Sequence, residues 1–192
     1  MPPPDRQRRL STPLLWLHAR LAAQIPPTRL FGVKRAMLRL AGADVGRDVK
    51  VVSSARFCCS GSLHVGDGTW IGHEVLMVGG DSEIRIGARC DIAPRVMLVT
   101  GSHEISISGA RAAGDGFSRP ISIGDGTWIG AGAVVIGGST IGEHSVVAAG
   151  AIVRGSFPAR SLLAGVPARV VKTLGHDPTP DLPWNIESSM RS

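Results

Sequence analysis

The residue whose type and position most suggest chemistry is His103, one of six histidines in this chain of 192 residues. It follows Leu98, where a regular pattern of aliphatic residues stops, and precedes Glu104–Arg119, a segment rich in Gly, Ser and Ala. A long insertion within a regular fold is usually functional or disordered. Because a free imidazole titrates near pH ~6.5, it can take a proton from a hydroxyl. The position makes His103 a candidate for proton transfer, with Glu104 or a backbone carbonyl as the group that orients its ring.

The residues on both sides of that insertion form a repeat of six. Aliphatic side chains recur every six positions from Ile123 to Val153, and Gly or Ala often follows them. Neither a helix nor a strand has this period, which is the hexapeptide signature of a parallel β-helix. From Val45 onwards the hexads come in threes, and a larger residue follows each third aliphatic. The pattern predicts a triangular coil with three short strands per turn, inward aliphatic stacks, and extra residues emerging at one corner.

The composition limits the class of protein. The chain is 43% hydrophobic, 19% charged and 4% aromatic, which excludes wholesale disorder and a transmembrane class and predicts a core of small aliphatic side chains. Cys58, Cys59 and Cys90 are odd in number and lack metal-ligand spacing, so they are expected to be free, buried thiols. No metal is expected.

Three segments follow from the change in pattern along the chain. Residues 1–44 are predicted to be a helical segment, with helices at 14–24 and 28–41, because apolar residues recur there at helical spacing. Residues 45–172 are predicted to be the β-helix, with the loop 104–119. Residues 173–192 form a Pro-rich tail to which no role is assigned.

The charge indicates an anionic partner. The net charge is +6, with much of the excess in the first 40 residues and after Arg154. A nucleic acid is not expected, because aromatic residues are scarce and no nucleic-acid motif is present. The N-terminal apolar run is interrupted by His18 and Arg20 and is too short to span a bilayer. We expect a cytoplasmic protein whose basic helices either pack on the main body or make weak contact with a membrane surface.

The run IGDGTWIGAGAVVIGGSTIGEHSVVAAGAIVRGSFPARSLLAGVPARVV (Ile123–Val171), with VTGSHEI at Val99–Ile105, resembles the left-handed β-helix O-acetyltransferases. These include maltose, galactoside, nodulation-factor and exopolysaccharide (colanic-acid type) acetyltransferases, and the resemblance covers about residues 45–172. It implies an all-β, left-handed parallel β-helix and a homotrimer that binds acetyl-CoA between neighbouring subunits. It also implies that His103 is the general base for direct acetyl transfer to a saccharide hydroxyl. The TGSHE sequence resembles the exopolysaccharide branch.

The same resemblance implies which residues bind the two substrates. The expected acetyl-CoA contacts are Trp128, Gly130, Ala131 and Ala149 along the pantetheine arm, and Arg154, Arg169 and Lys172 near the phosphates or adenine. Arginine and lysine suit those phosphates. Trp70 has the same hexad phase as Trp128 and is expected to be a packing residue. Asp81 is the expected acceptor ligand, together with His73. Relatives often have Asn at the position of His73, which argues against a maltose or galactoside acceptor.

Three other functions fit a chain of hexapeptide repeats. An N-acetyltransferase of an amino-sugar nucleotide shares fold and cofactor but usually carries a nucleotide-binding domain before the β-helix, where this chain has a helical segment. A repeat prism can also be a non-catalytic assembly module. A hexapeptide carbonic anhydrase needs three histidines around zinc, and His64, His73 and His103 lack its spacing.

Overall fold

The computed structural model describes residues 9–175, and most of the Pro-rich segment 173–192 lies outside that range. Two helices, α1 (Thr12–Ala22) and α2 (Phe31–Leu40), precede the strands. The first three coils are β1 (Asp44–Val45), β2 (Lys50–Val51), β3 (Arg56–Cys58); β4 (Leu63–Val65), β5 (Trp70–Ile71), β6 (Leu76–Val78); and β7 (Ile84–Ile86), β8 (Asp91–Ile92), β9 (Met97–Val99).

A hairpin of β10 (Gly101–Ile105) and β11 (Ala113–Ser118) separates these coils from the next ones. Those are β12 (Ile121–Ile123), β13 (Trp128–Ile129), β14 (Val134–Ile136); β15 (Thr140–Ile141), β16 (Val146–Val147), β17 (Ile152–Val153); and β18 (Ser156–Phe157), β19 (Ser161–Gly165), closed by β20 (Ala168–Thr173).

The strands form the three sides of a prism. The first sheet has the order β1-β4-β7-β12-β15-β18, the second β2-β5-β8-β13-β16-β19-β20, and the third β17-β14-β9-β6-β3. Neighbouring strands are parallel except at the antiparallel pair β19–β20. Each strand therefore pairs with the one reached a full coil later along the chain. The predicted parallel β-helix of hexapeptide repeats is confirmed.

The core consists of aliphatic side chains stacked coil on coil. Ile71, for example, lies in register with Ile92, which lies in register with Ile129, and all three are fully buried. Every inward position predicted from the hexads is buried: Val45, Val51, Phe57, Val65, Ile71, Met77, Ile86, Ile92, Leu98, Ile123, Ile129, Val135, Ile141, Val147 and Val153. Burial of such side chains contributes about 1.5–3 kcal/mol each, which makes this stack the main stabilising element.

The interruptions of the repeat emerge at one corner, between the third and first sheets, as the triplet pattern predicts. The longest interruption differs from the expected loop 104–119. It leaves the prism at Gly101 and forms an antiparallel hairpin in which His103 lies opposite Gly116. Pairing of the two strands satisfies backbone groups that an open loop would leave to water.

The helices cover the prism at its first coil. Leu15 of α1 and Leu38 of α2 are buried in the same core as the strands. Arg35 donates to the Val49 carbonyl, and Arg39 donates to those of Val45 and Gly46 at 2.8–2.9 Å. Neither helix within residues 9–175 is long and apolar enough to cross a bilayer.

The expected burial of the three thiols is wrong at one position. All three cysteines are free, and Cys59 and Cys90 are buried, but Cys58 is exposed. Phe57 points into the core, so its strand neighbour Cys58 points outwards. Burial raises the pKa of the Cys59 thiol to about 11.

Candidate functional site

A cleft of about 600 Å³ lies where the hairpin leaves the prism. One wall is the corner that follows β6, and the other is the base of β10 and β11. The residues that line it are Ser60, Gly79, Gly80, Asp81, Gly101, Ser102, His103, Gly116, Phe117 and Ser118. The structure thus brings two of the predicted site residues, His103 and Asp81, into one cleft.

The imidazole of His103 is oriented by the opposite strand. The ring is exposed, and its Nδ1 lies 3.0 Å from the carbonyl oxygen of Gly114 on β11. A carbonyl can only accept a hydrogen bond, so this contact assigns the proton of the neutral ring to Nδ1 and leaves Nε2 as the acceptor nitrogen. Of the two supports expected from the sequence, Glu104 or a backbone carbonyl, the structure has the carbonyl.

Asp81 lies at the edge of the cleft, beside the first residue that the structure describes. Its carboxylate is 3.6 Å from the guanidinium of Arg9, and both side chains are largely exposed. Arg9 is held there because the Leu10 amide donates to the Gly61 carbonyl at 3.1 Å. An exposed pair of this kind contributes little to stability, so Asp81 can exchange its partner for a ligand.

Glycine allows the hairpin to approach the prism closely. Gly79 has φ +143°, and a Cβ there would overlap the Thr100 hydroxyl and lie 2.6 Å from the Gly101 nitrogen. At Gly80 a Cβ would lie 2.9 Å from the Cβ of Ser118. A larger residue at either position would push the hairpin, and with it His103, away from Asp81.

The expected pantetheine contacts cluster at a different corner, between the second and third sheets. Gly130 and Ala131 follow β13, and Ala149 occupies the equivalent place one coil later. The two turns are stacked, since the Gly150 amide donates to the Ala131 carbonyl at 2.9 Å. A Cβ on Gly130 would lie 2.6 Å from the Ala149 nitrogen. The result is a smooth surface of small residues on which an extended ligand could lie.

The two tryptophans of the repeat have different surroundings. Trp70 packs edge-on against Phe31 of α2, with ring centroids 6.0 Å apart, and is the packing residue that the sequence predicted. Trp128 lies on the second sheet with 39% of its surface exposed. Trp128 begins β13, and Gly130 and Ala131 directly follow that strand.

The expected phosphate contacts are exposed but dispersed. Arg154 follows β17, at the corner from which the hairpin emerges two coils earlier. Arg169 and Lys172 are exposed on β20, which closes the second sheet. All three cations lie in the last coils of the prism, on the side of His103 opposite to the helices.

His73 is not part of the cleft. It lies in the turn after β5, where its Nδ1 is 3.4 Å from the Ser54 hydroxyl, and that turn belongs to the corner of Ala131. The corner of Asp81 is one side of the prism away, which is six residues or at most ~20 Å of extended chain. His73 and Asp81 therefore lie at different corners of the prism, and their shared contact with an acceptor stays a prediction.

No three metal-ligating side chains of the His, Cys, Asp or Glu type converge anywhere in residues 9–175. His64, one of the three histidines considered for zinc, instead lies 2.7 Å from the Asp44 carboxylate.

Sequence reasoning did not find several residues of the cleft. Ser102, Phe117 and Ser118 line it because of the hairpin register. The same register brings the Gly114 carbonyl to the ring of His103. The insertion was visible in the sequence, but nothing in its composition specifies which of its residues lie opposite each other.

Comparisons with known proteins agree with this architecture. Residues 120–155 match the family model described as bacterial transferase hexapeptide (six repeats). The chain is 32% identical to the galactoside O-acetyltransferase of Escherichia coli K12 over 73% of its length and 68% of the relative. It is 35% identical to an E. coli K12 protein whose name assigns it to colanic acid biosynthesis as an acetyltransferase, over 76% of this chain and 78% of the relative.

Two further comparisons extend the likeness. A Saccharomyces cerevisiae protein that is named as an acetyltransferase is 33% identical over 65% of this chain and 63% of the relative. The chain therefore spans less than two thirds of the length of that relative. Among solved structures, a hexapeptide-repeat acetyltransferase of Vibrio cholerae complexed with acetyl-CoA matches with a TM-score of 0.69. That match has 32% identity and covers 85% of this chain and 88% of the other.

Proposed function

This chain belongs to the bacterial hexapeptide-repeat acetyltransferase family, and from that membership we propose that it transfers acetyl from acetyl-CoA to a hydroxyl of a saccharide. Acetyl-CoA is the proposed cosubstrate because the V. cholerae neighbour is complexed with acetyl-CoA. The named activity of the E. coli galactoside enzyme supports O-transfer to a sugar. The one observation in this chain that carries the proposal is the oriented imidazole of His103 in the cleft with Asp81.

The proposed chemistry is a direct transfer. Nε2 of His103 takes the proton of the acceptor hydroxyl as the hydroxyl oxygen attacks the thioester carbonyl carbon. The tetrahedral adduct then collapses, its C–S bond breaks, and the imidazolium returns the proton to the leaving thiolate. The products are an acetyl ester and free CoA, and His103 ends in its starting form. The Gly114 carbonyl keeps the ring in the required tautomer and stabilises the imidazolium.

A second copy of the chain is part of the proposal. His103 and Asp81 lie at one corner of the prism, whereas Trp128, Gly130, Ala131 and Ala149 lie on the second sheet and at another corner. A thioester lying on the small-residue corner of one protomer can reach His103 of a neighbour if two prisms pack side by side. Packing also covers the exposed Ile105 and Ile107 of the hairpin. We propose that the neighbour belongs to a homotrimer with parallel axes, the assembly implied by the resemblance to the left-handed β-helix O-acetyltransferases.

Replacement of His103 tests the catalytic role. With His103→Asn, thiol release from acetyl-CoA in the presence of acceptor should fall by about 10²–10⁴-fold, the usual contribution of a general base. His144→Asn is the matched control, because it removes an exposed imidazole from the corner between the first and second sheets, away from the corner of His103. The positive φ of 53° at His144 also tolerates Asn. It should retain full turnover. Unchanged turnover in His103→Asn would exclude the mechanism.

The acceptor class is tested by comparing two kinds of sugar. We propose a saccharide of exopolysaccharide or cell-surface glycan biosynthesis, a proposal supported by the relative assigned to colanic acid biosynthesis. A hydroxyl-only oligosaccharide should become an alkali-labile ester, detected as a mass gain of one acetyl group. Preferential modification of a nucleotide-linked amino sugar, giving an alkali-stable amide, would instead establish N-transfer. Tight CoA binding with no transfer to either sugar would favour the assembly module.

A further inference from the structure

Most of the exposed large hydrophobic residues of the described chain lie in or beside the two helices. Of thirteen exposed large hydrophobic residues within residues 9–175, seven lie between residues 14 and 40. We define these seven as the N-terminal apolar face: Leu14, Trp16, Leu17, Leu21, Leu30, Val33 and Leu40. Trp16 is 61% exposed and Leu40 is 76% exposed. Large exposed apolar groups clustered in this way mark a binding surface.

The exposed apolar residues of the two helices recur at helical spacing, so they share one side of each helix. Leu14, Leu17 and Leu21 follow one stripe of α1, while Leu15, His18 and Ala22 form the stripe that packs on the prism. On α2, Val33 and Leu40 lie on the solvent side, whereas Lys34 and Leu38 are buried. Each helix therefore has two apolar sides, and only one is used within the described chain.

The charged residues of the helical segment itself are all of one sign. Residues 9–43 contain six Lys or Arg and no Asp or Glu. Arg35 and Arg39 donate to carbonyls of the first coil. Lys34 is buried and Arg9 pairs with Asp81, which leaves Arg20 and Arg29 exposed on the helix side. Arg20 lies over the ring of Trp16, with its guanidinium carbon 5.1 Å from the ring centre. A cation is thus fixed beside the largest apolar group of the face.

We propose that the N-terminal apolar face docks this protein on the surface of an anionic lipid bilayer. Tryptophan and leucine enter the boundary between headgroups and acyl chains, while neighbouring Arg side chains contact anionic headgroups. A protein partner of ordinary composition would bring both signs of charge, whereas a bilayer brings only the negative sign that complements this surface.

The docked orientation is compatible with access to the cleft. The helices cover the first coil, and the hairpin leaves the prism after the third. The cleft begins beside the first coil at Ser60, and its hairpin wall, which carries His103, leaves the prism two coils further on, roughly 10 Å along the prism axis. In a trimer with parallel axes, three copies of the face lie at the same end, and their binding energies reinforce one another.

Co-sedimentation of the full chain with vesicles tests the proposal. We use phosphatidylcholine vesicles with and without about 30% phosphatidylglycerol, at about 0.1 M and about 0.5 M NaCl. The protein should sediment with the anionic vesicles only, and the higher salt should release it. No sedimentation with anionic vesicles, or equal sedimentation with neutral ones, would overturn the proposal.

Two variants and a control locate the surface. Arg20→Glu should weaken binding by roughly five-fold or more, because each cation near an anionic surface contributes about a five-fold increase in partitioning. Trp16→Ala should weaken it without changing the net charge. Arg89→Glu makes the same charge change at an exposed turn of the third coil, two coils from the one that the helices cover, and it should bind like wild type. Equal loss in Arg20→Glu and Arg89→Glu would refute a role for this face.

The same variants distinguish bilayer docking from catalysis and from self-association. Turnover of a soluble acceptor by Arg20→Glu should equal that of wild type, so failure of vesicle binding and failure of catalysis are distinguishable. If the N-terminal apolar face were instead a contact between copies of the chain, Trp16→Ala would lower the mass measured by light scattering without vesicles. That result would overturn the proposal.

Discussion

Acidification should destabilise this protein through His18, a buried imidazole of α1. The ring packs edge-on against Phe57 at 5.6 Å between centroids, and its Nε2 is buried with no hydrogen-bond partner among residues 9–175. Burial, and then the positive charges of Lys34 and Arg56, lower the pKa of His18 from 6.5 to about 4. The folded protein therefore keeps this ring neutral where the unfolded chain protonates it.

The magnitude follows from the two pKa values. Above pH ~6.5 both states are neutral at this site, and the group contributes no pH dependence. As the pH falls below the unfolded value, only the unfolded chain binds the proton, and stability decreases by about 1.4 kcal/mol per pH unit. At pH 5 the loss is about 2 kcal/mol, and it levels off below the folded pKa of about 4.

Urea denaturation at 25 °C, followed by fluorescence at pH 8 and at pH 5, measures this loss. His18→Leu cannot titrate and fills a similar volume, so its free energy of unfolding should decrease by about 2 kcal/mol less than that of wild type between the two pH values. A proton NMR titration should give a pKa for the His18 ring well below the ordinary range of histidine. A ring that titrates near pH 6.5, or the same pH dependence in both proteins, would refute the reasoning.

Two further substitutions test the core and the cleft. Leu98→Ala should cost about 2–5 kcal/mol in urea denaturation, because Leu98 is fully buried between Met77 and Val135; Val99→Ala, at an outward position, should cost less. Gly79→Ala should lower both the melting temperature and kcat, because the added Cβ would displace the hairpin. Gly68 also has a positive φ, but a Cβ there would overlap no neighbouring atom, so Gly68→Ala should lower only the melting temperature, by a few degrees. Equal activity in the two glycine variants would contradict the role assigned to the close approach.

The β-helix was readable from the sequence because its signal is both periodic and redundant. Each inward position is specified by its own aliphatic residue and again by the residue one coil away. The registers Val65 with Ile86 and Ile86 with Ile123 follow directly, even across the long insertion. Burial of Thr69 and Thr127, by contrast, has no counterpart in the aliphatic pattern; their hydroxyls bond to carbonyls of a neighbouring coil or turn.

The insertion shows where sequence reasoning fails. Its presence and its histidine were evident, but its start at Gly101, its two strands and the pairing of His103 with Gly116 were not. Strand register in a hairpin depends on turn geometry and on packing against the prism, and a segment rich in Gly and Ser has no side-chain alternation that specifies it. The exposure of Cys58 was missed for a related reason, since a thiol fits either side of a strand.

From the sequence alone, the periodic aliphatic residues determine the coil, its three sheets, its buried stacks and the corner that carries the insertion. The period of six does not specify the hand of the coil, which rests on the family resemblance. Tertiary structure decides which groups meet: it places Asp81 beside His103, turns the ring towards the Gly114 carbonyl, and leaves His73 one side of the prism away. The physical reason is the sequence separation of the interacting residues. Burial of an aliphatic residue is specified locally and repeats at a fixed interval along the chain. A contact in the site, by contrast, forms once, between distant segments whose relative position only the folded chain establishes.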